Sequence, residues 1–266
     1  MFLDHQEAID RVIKAERTSE VRAAVFSIMD GHDEHRVDAA FSPVPRPGPR
    51  NDAHCGAVGG GSVHQVIVVT AALKGGVGKT TTSIYLAALA TANRNAVTLV
   101  DADPQASAAE WVEAANAQEK RFDGVNIVEA PTERLLVRTL DRLEPGSAAV
   151  VDPPPSHDRL LGKALERASV VVVPARVGGI ETAQAHAALA MVPDGTPVGM
   201  VICSARTFTR SYGEAIEYWR RAGVKVWGTV PERVTIAAGP RGPLAADGLD
   251  AYRKVWRRVL AAARSV

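Results

Sequence analysis

One stretch, Leu73-Lys74-Gly75-Gly76-Val77-Gly78-Lys79-Thr80-Thr81-Thr82, constrains the fold of this chain more than any other. The apolar β-branched run Val66-Ile67-Val68-Val69-Thr70 precedes it, and an alanine-rich helical run over 83–92 follows. Strand, glycine loop and helix in that order are the context a phosphate-binding loop requires. Glycines remove side chains, so backbone N–H groups can curl around a polyphosphate at the start of a helix. Lys79 then reaches the β- and γ-phosphates, and the Thr80 hydroxyl is a Mg²⁺ ligand. The usual spacing G-x-x-x-x-G-K-[ST] is incomplete, because Leu73 takes the first glycine position and a second lysine, Lys74, follows it. A glycine turn carrying two solvated lysines is the plain alternative, and the flanking strand and helix weigh against it.

Upstream of the loop, Ile9, Val12, Ile13, Val21, Ala24, Val25 and Ile28 recur at helical spacing over 4–29. The proline run over 42–49 and the triple glycine Gly59-Gly60-Gly61 then read as a flexible linker. The expected organisation is a helical appendage over 1–41, a linker over 42–62 and a main domain over 63–266. Within the main domain, strands are expected at 66–70, 96–100, 125–128, 148–151, 170–173, 198–203 and 224–230. Helices are expected between them at 83–92, 107–119, 133–143, 160–168, 181–191 and 212–222, with a terminal one over 249–264. Near-continuous Val and Ile runs indicate strands covered on both faces, as in a parallel sheet with helical crossovers. The fold class is therefore α/β, a doubly wound and mostly parallel sheet with its ligand at the C-terminal strand ends.

Two further strand ends carry carboxylates. Asp152 follows the apolar run Ala148-Ala149-Val150-Val151 and fits a Walker B aspartate that holds Mg²⁺. Asp101-Ala102-Asp103-Pro104-Gln105 closes the second strand. A strand-end aspartate is weak by itself, since aspartates also cap helices, but three motifs in order at three strand ends make coincidence improbable.

These three motifs together resemble the ParA/MinD family of ATPases. Lys74-Gly75-Gly76-Val77-Gly78-Lys79-Thr80 is similar to its deviant Walker A loop, Asp101 to Gln105 to its Asp-x-Asp-Pro-Gln segment, and Asp152-Pro153-Pro154-Pro155 to its Asp-x-Pro-Pro. The resemblance extends over about 65–262. It implies a P-loop NTPase fold and Mg²⁺-dependent ATP hydrolysis. Gly75, Gly76, Val77, Gly78, Lys79, Thr80 and Thr81 would surround the phosphates; Thr80, Asp101 and Asp152 would serve Mg²⁺. Asp103 would orient the attacking water, and Lys74 would reach the partner's ATP across an ATP-dependent homodimer. The segment over 229–233, with Pro231, resembles the one that flanks adenine, whereas 237–244 departs from the family pattern.

Composition then bounds which relative this is. The chain is 46% hydrophobic, ample for a core, yet its longest apolar runs fall far short of the roughly 20 residues a membrane helix needs. Residues 1–29 contain no apolar signal region, so a cytoplasmic protein with no transmembrane segment is expected. Cys55 and Cys203 show no C-x-x-C spacing and lie outside the segments where redox members of the family hold a cluster. The formal net charge is +1, but residues 200–266 carry 12 basic against 5 acidic side chains. That excess points to a polyanion partner, with a solvated charged face as the plain alternative.

By resemblance, short ParA-type partition ATPases bind non-specific DNA through such a C-terminal surface. The candidates are Arg206, Arg210, Arg220, Arg221, Lys225, Arg253, Lys254, Arg257 and Arg258. The same resemblance implies a nucleoid location, a ParB-like centromere-binding partner and plasmid or chromosome partition. Two other readings stand beside it. One is a MinD-like membrane-surface ATPase whose terminal helix lies on anionic lipid through Leu249, Tyr252, Trp256, Val259, Leu260 and Ala263. A stripe of that kind more often faces a core. The other is a DNA scaffold that holds ATP with little hydrolysis.

Overall fold

The β-branched run ahead of the glycine loop becomes β1 (Val66–Thr70), with every residue buried. The structure, a computed structural model, describes residues 65–94, 96–119, 124–155, 159–237, 244 and 246–264. The appendage expected over 1–41, the linker over 42–62 and the divergent stretch at 238–243 lie outside the described residues.

After β1 the chain runs through α1 (Lys79–Ala90), β2 (Val97–Asp101), α2 (Ser107–Glu119), β3 (Val125–Glu129), α3 (Glu133–Leu140) and β4 (Ala148–Asp152). It continues through α4 (Arg159–Glu166), β5 (Val170–Ala175), α5 (Gly179–Ala190), β6 (Val198–Ala205) and α6 (Arg210–Arg221). The described part closes with β7 (Val226–Pro231), a one-turn α7 (Val234–Ala237) and α8 (Ala246–Ala263). The strands form one sheet in the order β3-β2-β4-β1-β5-β6-β7, and every neighbouring pair is parallel. The "mostly parallel" expectation is thus met by a wholly parallel sheet.

Side-chain alternation explains the double covering. Val66 and Val68 of β1 face the layer of α1, α2 and α8, whereas Ile67 and Val69 face the layer of α3, α4, α5 and α6. The same split holds in β4 and β5, so both faces of each central strand need apolar residues. Full burial of a Val side chain is worth about 1.5–3 kcal/mol, which makes these strands the main source of stability. The edge strands β3 and β7 are only partly buried and are correspondingly more polar.

Helix ends follow local chemistry. The Thr132 and Thr209 hydroxyls accept from the Leu135 and Tyr212 amides to start α3 and α6. Gly223, at φ 69°, ends α6 with paired bonds from its own amide to Arg220 and from the Val224 amide to Trp219. The α7 turn has no counterpart among the sequence-derived elements, because four residues carry no periodicity to read.

Helix α8 lies against β7 and α1. Tyr252, Val255, Trp256 and Val259 are each at most 4% exposed, and the Tyr252 ring stacks on Tyr85 at 5.0 Å. A side chain at Gly228 would meet Val255 Cγ2 at 2.6 Å, so glycine there is what lets α8 close on the sheet. The stripe considered for lipid contact is therefore core, and among the described residues no helix is long and apolar enough to cross a membrane.

Between α5 and α6, the His186 Nε2 and the Tyr218 hydroxyl lie 2.6 Å apart, and the imidazole sits 4.6 Å from the Trp219 ring. Burial lowers its pKa from 6.5 to about 4. A depressed folded-state pKa means the neutral ring stabilises the fold above pH 6.5 and that this contribution is lost as pH falls toward 4. Between about pH 6.5 and 5, wild type should lose on the order of 1 kcal/mol more stability than His186→Gln in urea melts. Parallel pH profiles for the two proteins would refute this.

Candidate functional site

The glycine loop connects β1 to α1 at the C-terminal edge of the sheet. Gly76 and Gly78 take left-handed backbone, at φ 78° and 97°, which their side-chain-free backbone permits. Gly78 is also the N-cap of α1, and a Cβ there would stand 3.2 Å from both Cβ and Sγ of Cys203. No side chain caps α1 and its first turn holds no acid, so its leading amides are left for an anion. Beside Gly75 and Gly76 a side chain would meet open space, which is the cradle itself. Val77 is buried and contributes only backbone to the loop.

Beneath the loop, Asp152 gathers three donors. Lys79 Nζ donates to its Oδ1 at 2.8 Å and Thr80 Oγ1 to its Oδ2 at 2.8 Å. Ser83 Oγ donates to Oδ1 at 2.9 Å. Thr70 Oγ1, 2.6 Å from Ser83 Oγ and 3.0 Å from the Val151 carbonyl, backs Ser83. The carboxylate is fully buried and Lys79 is 7% exposed, so this is an interior ion pair with every oxygen engaged. Residues from β1, α1 and β4 meet here because β1 pairs directly with β4.

The two aspartates of the second motif do different things. Asp101, paired across the sheet with Asp152, accepts the Asp103 amide on Oδ1 at 3.1 Å. Its Oδ2 accepts the Ala108 and Ala109 amides at 2.9 and 3.0 Å, which fixes the start of α2. Burial pushes its carboxyl above the ordinary aspartate range. The oxygens of Asp101, expected to serve Mg²⁺, hold backbone amides here, and Thr80 is hydrogen-bonded to Asp152. Asp103 lines the pocket above the loop, its Oδ1 accepting the Gln105 amide at 3.0 Å.

That pocket holds about 440 Å³. Its floor is Lys74, Gly75, Gly76, Gly78, Lys79, Thr80 and Thr81; Pro231 and Tyr252 stand at the side toward β7. Three features had no sequence signal. Lys74 Nζ donates to Glu181 Oε1 at 2.7 Å, holding the Glu181 carboxyl below the usual glutamate range. Arg176 lines the same pocket, as does the buried Cys203, whose thiol burial raises to about 11. Glu181 and Arg176 follow β5, far from any motif, and only the β1–β5 pairing brings them to the loop.

The basic residues do not form one surface. Arg210, Arg220 and Arg221 belong to α6 in one helix layer, and Arg253, Lys254, Arg257 and Arg258 to α8 in the opposite one. Arg206 pairs with Glu232, Arg210 with Glu214, Arg220 and Arg221 with Glu217, and Arg253 with Asp250. Lys254, Arg257 and Arg258 have no ion pair among the described residues and are exposed. The expectation of a single C-terminal basic cluster is corrected accordingly: its members lie in opposite helix layers, and Arg210, Arg220, Arg221 and Arg253 each pair with an acid on their own helix.

Residues 68–242 match the model of the CobQ/CobB/MinD/ParA nucleotide binding domain. The chain is similar to the maintenance of carboxysome distribution protein A of Gloeobacter kilaueensis, 37% identical over 150 residues, 55% of this chain and 66% of that protein. It is also 30% identical to Protein ParA of Rhizobium radiobacter over 111 residues, 41% of this chain and 48% of that one. The matched stretch thus spans less than two thirds of either relative. Among solved structures, a plasmid partition protein of Borrelia burgdorferi B31 bound to AMPPNP superposes with a TM-score of 0.61 at 18% identity, over 76% of this chain and 100% of that one. The septum site-determining protein MinD of Pyrococcus horikoshii, complexed with Mg-ADP, gives 0.59 at 17% identity, over 74% and 97%. At such identities these likenesses concern the fold.

The buried cluster makes a prediction about the nucleotide-free protein. Asp152→Ala leaves the Lys79 ammonium without its counter-ion and the Thr80 and Ser83 hydroxyls without their acceptor, and should cost about 3 kcal/mol. Lys79→Ala should cost less, because Thr80 and Ser83 still donate to the carboxylate. Urea melts without nucleotide decide it; an Asp152→Ala protein as stable as wild type would refute the buried-pair account.

Proposed function

This chain belongs to the CobQ/CobB/MinD/ParA nucleotide-binding family, and on that premise we propose that it is a Mg²⁺-dependent ATPase of the ParA type. It dimerises on ATP, binds duplex DNA without sequence preference and serves plasmid or chromosome partition on the nucleoid with a ParB-like centromere-binding partner. The observation that carries this reading is the Lys79, Thr80 and Asp152 cluster beneath an uncapped glycine loop.

The donor set fits a magnesium nucleotide. Thr80 and Asp152 offer two hard oxygen donors already 2.8 Å apart, and a small cation that keeps several waters needs few more from protein. Mg²⁺ held by Thr80 and Asp152 would supply charge neutralisation to the phosphate chain. The amides from Gly76 to Thr80 hold the phosphate chain, and the Lys79 ammonium exchanges Asp152 for phosphate oxygen. The Asp103 carboxylate accepts a hydrogen bond from the attacking water and so orients its lone pair. Pro231 flanks the base. Lys74 leaves Glu181 to reach the partner's nucleotide, so a complete site needs two ATP-bound copies. DNA phosphates meet the unpaired cations of α8, Lys254, Arg257 and Arg258.

A second reading changes the cargo and keeps the cycle. The Gloeobacter relative is named for carboxysome distribution, which supports a protein assembly as cargo in place of a centromere complex. The membrane-surface reading loses its main support, because the apolar stripe of α8 is in the core. Steady-state phosphate release in the presence of DNA separates the proposed ATPase from a scaffold that holds ATP with little hydrolysis.

Size-exclusion chromatography tests the two lysines. Wild type should shift from monomer to dimer with ATP; Lys79→Ala should lose tight ATP binding, and Lys74→Ala should bind ATP yet remain monomeric. An ATP-dependent dimer of Lys74→Ala would overturn the trans assignment.

DNA binding should be confined to the ATP state and steeply salt-dependent, since log affinity falls with a slope of about −0.9 per phosphate neutralised. Lys254→Glu with Arg258→Glu, four apart on one helix face, should weaken binding to all sequences alike and flatten that slope. The ATP dimer should survive the change. Unaltered anisotropy titrations would remove α8 from the DNA interface, and an ATP dimer that binds anionic vesicles but not DNA would remove the partition reading.

A further inference from the structure

Arg176 leaves the sheet immediately after β5 and lines the nucleotide pocket with Lys74, Lys79 and Thr80. Its guanidinium differs from the other pocket charges. Lys79 is held by Asp152, Lys74 by Glu181, and Glu232 by Arg206. Asp103 accepts the Gln105 amide, and Arg233 has interactions of its own. Arg176 makes no hydrogen bond or ion pair with any described residue, although its charge is felt at both Glu181 and Glu232.

Its place in the sheet gives this meaning. Strand β1, which launches the phosphate loop, lies between β4 and β5. A phosphate chain over the loop is therefore flanked by Asp152 from β4 on one side and by Arg176 from β5 on the other. The two carboxylates beside the pocket, Glu181 and Glu232, repel an entering polyanion, and a cation between them offsets that field. A guanidinium with five unused donors in a planar fork is suited to bidentate contact with phosphate oxygens.

We propose that Arg176 is a second, cis-acting phosphate residue that reads the terminal phosphate and so distinguishes nucleoside triphosphate from diphosphate within one protomer. This rests on the nucleotide-pocket reading and extends it. Because Lys74 is tied to Glu181, Arg176 is the cation available on the β5 side before any partner arrives. Triphosphate recognition then precedes dimerisation and does not depend on it.

The test uses the full chain with Mg²⁺ at protomer concentrations where ATP leaves it monomeric, measuring fluorescent ATP and ADP analogues at equilibrium. Arg176→Gln should weaken ATP binding on the order of 10- to 100-fold and change ADP binding by less than about threefold, as loss of a charge-assisted contact to one phosphate requires. Arg176→Lys, which keeps the charge but not the fork, should fall between. The same loss should appear in a Lys74→Ala background, where no partner lysine can contribute. Equal losses for ATP and ADP, unchanged ATP affinity, or an effect that vanishes with Lys74→Ala would each overturn the assignment. A wild-type chain that binds neither nucleotide would instead overturn the pocket reading itself.

Discussion

The buried pair of Lys79 and Asp152 is the constraint on which the rest of the site depends. Taking both charges out of water costs several kcal/mol per ion, and only dense hydrogen bonding offsets it. Two hydroxyls, from Thr80 and Ser83, supply that bonding, and Thr70 backs Ser83 at 2.6 Å. They can do so only if α1 begins directly at Lys79 and runs over β1 and β4, with the loop folded back above them. One carboxylate at the end of β4 thereby fixes the register of loop, helix and two strands. A phosphate site built this way is in place before a ligand arrives, and its donors have only to change acceptor.

Around this hub the charges at the mouth alternate. Lys74 sits on Glu181, Arg176 lies near Glu181 and Glu232, and Arg206 closes the row on Glu232. The row runs along the ends of β1, β5, β6 and β7, and its near-neutral sum lets a polyanion approach cations that are spaced apart. Mobility of assignment is built into it. A lysine on a flexible stem can exchange Glu181 for another acceptor, whereas the guanidinium beside it is the better shaped for phosphate.

The terminal helix shows how tertiary packing decides between readings that sequence leaves open. Its apolar stripe and basic flanks suit lipid, nucleic acid or a core equally well on periodicity alone. Gly228 removes the obstacle to close packing, Tyr252 hydrogen-bonds Thr82 at 2.9 Å and stacks on Tyr85, and the stripe becomes core. What remains outside is a small set of unpaired cations, while those of α6 are largely taken up by glutamates three or four residues away.

The sequence by itself determined the strand–loop–helix unit, all seven strands and the two-sided burial of the sheet. It also determined that Lys79, Thr80 and Asp152 belong to one site. These follow from local rules: glycine permits left-handed backbone, β-branched runs make buried strands, and apolar residues on both faces demand helices on both faces. What only the tertiary structure decided is which distant groups share that site and what each oxygen is doing. Asp101 and Asp103 look alike in sequence, yet Asp101 is consumed by the amides that start α2 while Asp103 faces the pocket. Glu181 and Arg176 carry no motif, because their closeness to Lys74 arises from β1 pairing with β5 across 100 residues of chain. Local sequence can encode the shape of a loop, but the acceptor a charge finds depends on strand order, and strand order is settled by the packing of the whole sheet.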